Sequence, residues 1–214
     1  MKNLFIASLT AVVLMGCAPL IIGAGAAAGY VGVQERSFKE AGEDIVLKTK
    51  LMEKIGRLDS AYLKDLNISV RHGEAFITGV VDEPGEIARI EDTTYQVQGV
   101  DRVINAVQLK PYSFKQYMAD VATGTNLRSR LVFTEDVYSR NYDVTIVKGE
   151  VYLFGWAYTQ QEIDQAVHIA RTTKGVERVH NYLRVMENGR QKLEERKHNQ
   201  ENIYNNTYGV DEVR

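Results

Sequence analysis

The feature that most constrains the fold of this 214-residue chain is an internal duplication. When the sequence is shifted by 76 positions, residues 67–79 (Asn-Ile-Ser-Val-Arg-His-Gly-Glu-Ala-Phe-Ile-Thr-Gly) align without a gap on residues 143–155 (Asp-Val-Thr-Ile-Val-Lys-Gly-Glu-Val-Tyr-Leu-Phe-Gly). In the same register, Gly-Val-Asp-Arg-Val at 99–103 falls on Gly-Val-Glu-Arg-Val at 175–179. Two separate motifs in one register predict two copies of one structural unit.

The apolar pattern of each copy predicts the order helix, strand, strand, helix, strand. In the first copy, residues 45–55 carry a helical stripe, and residues 68–70 and 75–81 read as two strands around a tight turn. Pro84 suits the first turn of a second helix, and residues 103–109 alternate as a third strand. A right-handed crossover between the second and third strands places both helices on one face of the sheet. The sequence therefore predicts an α+β fold of two tandem αββαβ domains, each with a three-stranded mixed sheet.

The N-terminus has the three zones of a bacterial secretory signal. Lys2 supplies positive charge, and the apolar run from Leu4 to Leu14 is too short to span a bilayer. The sequence Leu14-Met15-Gly16-Cys17 is typical of lipoprotein processing, and Cys17 is the only cysteine in the chain. We expect Cys17 to be lipidated, the alternative being an ordinary signal peptide that contains a cysteine. Ala18 after the cysteine, in place of Asp, favours the outer membrane, with the domains facing the periplasm.

The duplicated motifs resemble the BON domain, which combines a Gly-Glu turn, a strand ending in Gly, and a final Gly-Val-x-x-Val-x-Asn. The markers are Gly73, Gly79, Gly99, Val100, Val103 and Asn105 in the first copy, and Gly149, Gly155, Gly175, Val176, Val179 and Asn181 in the second.

The resemblance extends over residues 43–186, and a signal peptide followed by two such domains is similar to the outer-membrane, phospholipid-binding lipoproteins associated with the division site. The osmotically inducible periplasmic proteins share the domain without the anchor. On this basis the chain divides into a signal peptide (1–16), a Gly/Ala-rich tether (17–42), BON domain 1 (43–110), a linker (111–118), BON domain 2 (119–186) and a charged tail (187–214). Residues 191–200 are expected to form a solvated helix and the rest of the tail to be disordered.

The resemblance implies a non-enzymatic envelope protein whose second domain contacts anionic phospholipid through its first helix and supports outer-membrane integrity. The sequence departs from the family in that helix, where Ala122 falls near the place of a tryptophan and Gly124 should weaken the helix. An alternative function is a protein-interaction adaptor for an envelope assembly. The four histidines show no metal-ligand spacing and no catalytic motif is present, so we expect no enzyme, metal, cofactor or small-molecule substrate. The near balance of 26 basic and 28 acidic residues argues against nucleic acid.

One candidate contact surface is an aromatic stripe in the second strand of the second copy. The period of two places its side chains on the face that the helices leave open. Such a stripe suits a membrane interface or a ligand surface. The alternative is burial against the other domain or against the linker at 111–114. The residues are Tyr152, Phe154, Trp156 and Tyr158.

A second candidate surface is a set of basic residues in the second copy. Each Lys or Arg beside an anionic leaflet contributes about 1 kcal/mol, so four of them would support weak, reversible binding. The alternative is that they are ordinary solvated residues at helix ends. They are Arg128, Arg130, Lys174 and Arg178.

Overall fold

The computed structural model describes residues 31–208, with side chains placed from 41 to 205, so the signal peptide, Cys17 and most of the tether lie outside the described residues. The helices are α1 (Val31–Leu58), α2 (Tyr62–Asp65), α3 (Pro84–Tyr95), α4 (Phe114–Val132), α5 (Gln160–Arg171) and α6 (Gly189–Tyr208). The strands are β1 (Leu66–Arg71), β2 (Glu74–Val81), β3 (Arg102–Leu109), β4 (Tyr142–Val147), β5 (Glu150–Ala157) and β6 (Arg178–Val185).

The two sheets have the same topology, as the duplication predicts. In the first, β2 pairs antiparallel with β1 and parallel with β3, and in the second, β5 pairs in the same way with β4 and β6. The first core joins Leu51 of α1 and Ile90 of α3 to Ile77 of β2, so both helices cover one face of the sheet. The predicted α+β fold of two αββαβ domains is therefore confirmed.

A carboxylate at the same place in each copy fixes the first helix to the hairpin turn. Asp44 of α1 accepts hydrogen bonds from the backbone N–H groups of His72 and Gly73, at 3.0 and 3.3 Å. In the second copy, Asp120 of α4 accepts them from the two residues at 148–149, at 2.6 and 2.9 Å. Both residues of each turn have positive φ, and His72, at 51°, is one of the non-glycine residues held there. The carboxylate thus stabilises a backbone conformation that side chains disfavour.

The open faces of the two sheets pack against each other. A third apolar cluster joins Phe76 and Ile104 of the first sheet to Val147, Tyr152 and Phe154 of the second. Because the helices of each domain cover the opposite face of its sheet, the layers follow the order helices, sheet, sheet, helices. The pair α1/α3 and the pair α4/α5 therefore lie on opposite outer sides.

The charged tail differs from the prediction. We expected most of the tail to be disordered, but α6 continues to Tyr208. Three side chains attach it to the second domain: Leu193 is buried, the Arg196 guanidinium lies 5.1 Å from the ring centre of Tyr138, and Lys197 Nζ lies 3.1 Å from an Asp136 carboxylate oxygen. Composition alone did not reveal these contacts, since they depend on the loop after α4. Among the described helices, none combines the length and the apolar composition that a membrane span needs.

Candidate functional site

The aromatic stripe of β5 lies between the domains, which corrects its assignment as a lipid or partner surface. Tyr152 and Phe154 are buried, and the ring of Phe154 stacks on that of Phe76 with centres 4.9 Å apart. The Tyr152 hydroxyl accepts a hydrogen bond of 2.8 Å from Gln108 of the first domain, and burial raises its pKa. Trp156 is half-buried, with the ring of His72 4.6 Å away. The other domain is therefore what covers this face.

Tyr158, the last aromatic residue of the stripe, is separate from this interface. It is buried at the end of the second domain, where its ring meets that of Tyr138 edge-on at 5.1 Å. Its backbone N–H donates to Glu162, a buried carboxylate at the start of α5. Burial raises the pKa of Glu162, opposed by the backbone N–H groups of Tyr158 and Tyr138 that bind its charged form. These groups hold the α5 end of the domain together, and Tyr158 itself is buried there.

Ion pairs form beside the buried apolar interface, both between the domains and within the second domain. Glu74 of the first domain lies 2.6 Å from Arg184 of the second. The equivalent carboxylate, Glu150, lies 3.0 Å from Arg178 and 2.6 Å from a ring nitrogen of His180. Arg178 thus has a partner within its own domain.

The predicted basic residues do not form one patch. Arg128 and Arg130 are two positions apart on a helix, about 200° around its axis, so they point to different sides. Arg128 folds over Gly124 and donates to the carbonyl oxygen of Val144. Lys174 is exposed and makes no ion pair in the part of the chain that the structure describes.

Arg130 instead closes the end of the neighbouring helix. Its guanidinium donates to the carbonyl oxygen of Ile169 at 2.9 Å and to the hydroxyl of Thr173 at 2.6 Å. Unpaired carbonyls at a helix C-terminus favour a positive side chain, so this contact stabilises α5. Arg130 therefore has a structural role. Arg178 is paired with Glu150, so Lys174 is the basic residue of this set with the fewest contacts among the described residues.

The outer face of α4 carries an apolar stripe that the sequence reasoning missed. Its members follow the helical spacing i, i+3, i+4, i+7 and are 42–78% exposed. In the segment from Phe114 to Asn126 the charged residues are Lys115 and Asp120, and Asp120 is buried. The exposed side of these turns thus has a single basic charge among apolar and small neutral residues. The stripe consists of Phe114, Tyr117, Met118 and Val121.

We missed this stripe because residues 111–118 were assigned to the linker. The helix starts earlier, at a capping box in which the Ser113 hydroxyl accepts from the Gln116 N–H and the Gln116 side chain accepts from the Ser113 N–H. Ser-x-x-Gln before an apolar run is a recognisable signal for a helix start. With this start, the linker is reduced to Lys110–Tyr112.

The inner side of α4 is firmly held, so the stripe is a fixed surface. Leu127 and Leu131 are fully buried in the second core. Asp120 also accepts a 2.7 Å hydrogen bond from the hydroxyl of Tyr112, whose pKa is raised first by burial and then by this bond. Gly124, which we expected to weaken the helix, lies within a continuous helix and leaves room for the Arg128 side chain and for Ile146.

Comparisons with known proteins agree with the duplicated architecture. The chain is 27% identical over 192 residues to the outer membrane lipoprotein DolP of Haemophilus influenzae, with 84% of this chain and 93% of that protein covered. It is 29% identical over 136 residues to the osmotically-inducible protein Y of Escherichia coli, with 61% and 68% covered. An uncharacterised protein in the gshII 5′ region of Anaplasma centrale is 31% identical over 122 residues, with 56% and 81% covered. The BON domain pattern matches residues 44–111 and 119–187, so the chain belongs to the BON domain family.

Proposed function

We propose that this chain is a lipid-anchored envelope protein that places the outer face of α4 on an anionic phospholipid membrane and thereby supports outer-membrane integrity. The observation that carries the proposal is the exposed apolar stripe from Phe114 to Val121, with Lys115 as the one exposed charge among those turns. The similarity to an outer membrane lipoprotein supports the same location.

The chemistry of the stripe suits the boundary between lipid headgroups and acyl chains. Transfer of a fully exposed Phe, Met or Val side chain out of water contributes about 1.5–3 kcal/mol. Tyr117 adds a ring with a polar tip, which suits an interface with one wet side. Lys115 contributes about 1 kcal/mol near an anionic leaflet. Together these contacts give weak, reversible binding.

Weak binding is sufficient if the chain is anchored through Cys17. An anchor converts the contact of α4 into an intramolecular event, at an effective concentration set by the tether. The basic residues predicted from sequence then play a smaller part. Arg128 and Arg130 donate hydrogen bonds to carbonyl oxygens of elements beside α4, and their charge adds to the local potential.

Vesicle flotation of the chain lacking its first 17 residues tests the proposal. We expect binding to vesicles that contain phosphatidylglycerol or cardiolipin, and loss of this binding in a Phe114→Ser, Met118→Ser variant. The matched control is Leu63→Ser, Ile203→Ser, which removes two exposed apolar side chains, 45% and 63% exposed, from α2 and α6. If the wild-type chain does not float with anionic vesicles, or the α4 variant floats as the wild type does, the lipid function fails and the adaptor function is favoured.

A further inference from the structure

A second exposed apolar stripe lies on α1, on the opposite outer side of the molecule from α4. Its positions are Gly42, Ile45, Thr49 and Met52, spaced three, four and three residues apart. Ile45 and Met52 are 67% and 40% exposed. This spacing is the a/d repeat by which two helices pack side by side. The core-facing residues of α1, such as Leu51, lie on its other side.

The details of the stripe suit contact with another helix. The Thr49 hydroxyl donates to the carbonyl oxygen of Ile45, so burial of Thr49 leaves no donor unpaired. A methyl group added at Gly42 would meet no atom within 4 Å in the part of the chain that the structure describes. Glycine destabilises a helix interior, and at position 42 no contact among the described residues requires it. A second backbone approaching closely would require it.

We propose that this face of α1 binds the same face of α1 in a second copy of the chain, with the two helices parallel and in register. The charges beside the stripe select this occupant. Lys48 and Glu53 flank the a/d positions as g and e residues, and a parallel pair brings each Lys48 beside Glu53 of the other helix. Glu53 already lies 2.5 Å from Arg57 of its own helix, and its carboxylate, which is exposed, has room for a second basic partner. Ala41 and Val46, also exposed, meet in the same way one heptad earlier.

An antiparallel pair centred on Thr49 would instead bring the two Lys48 side chains together, which repels. The parallel arrangement also directs both N-termini the same way, as two copies anchored in one membrane require. The stripe is short, so pairing is weak in dilute solution and strengthens when the chains share a membrane. The contact does not involve α4, so its failure and the failure of the lipid function are distinguishable.

Cysteine cross-linking of the full chain in isolated membranes tests the pairing. We expect Thr49→Cys and Met52→Cys chains each to form a disulfide-linked dimer under mild oxidation, with a matching loss of the monomer. Thr125→Cys is the control matched by position, because Thr125 is the equivalent residue of α4 and its hydroxyl bonds the helix in the same way. Lys192→Cys, at an exposed position of α6 outside the face assigned to lipid, is the second control and should also give no dimer. The wild-type chain controls for Cys17.

The charge pair gives a second readout. Lys48→Glu in the Thr49→Cys chain should reduce the dimer to the level of the Thr125→Cys control, and addition of Glu53→Lys should restore it. Cross-linking at 49 but not at 52 would show an antiparallel pair and overturn the proposal. Equal cross-linking of the Thr125→Cys control would show random collision, and a cross-link to another protein would show a different partner. Either result also overturns it.

Discussion

The two copies of the domain differ most on the outer faces of their first helices, α1 and α4. On the inner side the equivalent positions keep their roles: Leu51 and Leu127 are fully buried, and Asp44 and Asp120 bind the hairpin turns. On the outer side, Gly42 of α1 corresponds to Met118 of α4 under the shift of 76 residues. The core constrains one face of a duplicated helix and leaves the other free to diverge.

At places such as Gly42 and Met118, the outer residues of α1 are small and those of α4 are large and apolar, and each set suits a different kind of contact. Small residues such as Ala41 and Gly42 let a second helix approach closely, whereas Tyr117 and Met118 at the same places extend outward and add apolar area. Because the two helix layers lie on opposite outer sides, a flat membrane that meets α4 leaves α1 facing away from it. A second copy bound at α1 then has its own α4 on the side away from that membrane, so one copy of the pair contacts lipid through α4 while the other is held by its tether.

The largest expected effect separates the buried aromatic residues from the exposed ones. Phe154→Ala should lower the free energy of unfolding by about 3–5 kcal/mol, because it opens a cavity between the two sheets. Phe114→Ala, on the outer face of α4, should change it by less than about 0.5 kcal/mol. Urea denaturation followed by tryptophan fluorescence measures both. If Phe154→Ala cost no more than Phe114→Ala, the stripe of β5 would not be part of an interface.

The next effect distinguishes the two carboxylates that hold the hairpin turns. Asp120 is buried and accepts bonds from Tyr112 and from two backbone N–H groups, whereas Asp44 is half-buried and accepts two. Hydrogen bonds to a charged group contribute about 1.5–3 kcal/mol each. We therefore expect Asp120→Asn to destabilise the chain by about 2–3 kcal/mol and Asp44→Asn by about 1 kcal/mol. Equal losses in thermal or urea unfolding would contradict this difference.

The fold and core could be predicted from the sequence because they depend on local periodicity. The spacing in residues 45–55 identified the inward face of α1, and the shift of 76 residues transferred it to α4. What covers an open sheet face depends on the other domain. The alternation along β5 therefore showed that Tyr152 and Phe154 share a face but not whether that face is buried. The role of Arg128 depends on space left by Gly124, which only three-dimensional packing reveals.

A smaller effect tests whether charge as well as apolar area draws α4 to lipid. Lys115→Gln should weaken binding to phosphatidylglycerol vesicles about fivefold, because one basic residue near an anionic leaflet contributes about 1 kcal/mol. Lys50→Gln on α1 is the control and should leave binding unchanged, since that helix layer faces away. Flotation at increasing salt should reduce the difference between Lys115→Gln and the wild type. An equal loss in the Lys50→Gln chain would show attraction by net charge alone.

The smallest effect is a difference in pH dependence between two equivalent carboxylates, Glu86 and Glu162. The hydrogen bond from Tyr62 lowers the pKa of Glu86, whereas burial raises the pKa of Glu162. A lowered pKa in the folded state gives stability that is lost as the pH falls below about 4.5, the ordinary value. The raised pKa of Glu162 adds to the free energy of unfolding below about pH 4.5, and this contribution is lost as the pH rises above that value.

Substitution of each carboxylate by its amide separates the two contributions. Above pH 4.5, the free energy of unfolding of the wild type should decline as the pH rises, because Glu162 loses its proton in a buried place. Glu162→Gln should make this decline smaller, whereas Glu86→Gln should leave it unchanged. Below pH 4.5, Glu86→Gln should flatten the acid loss. Urea unfolding across pH 3–7 gives both slopes. Both variants could instead change the slope of the unfolding free energy against pH in the same direction. The carboxylates of α3 and α5 would then titrate alike, and burial of Glu162 would not control its titration.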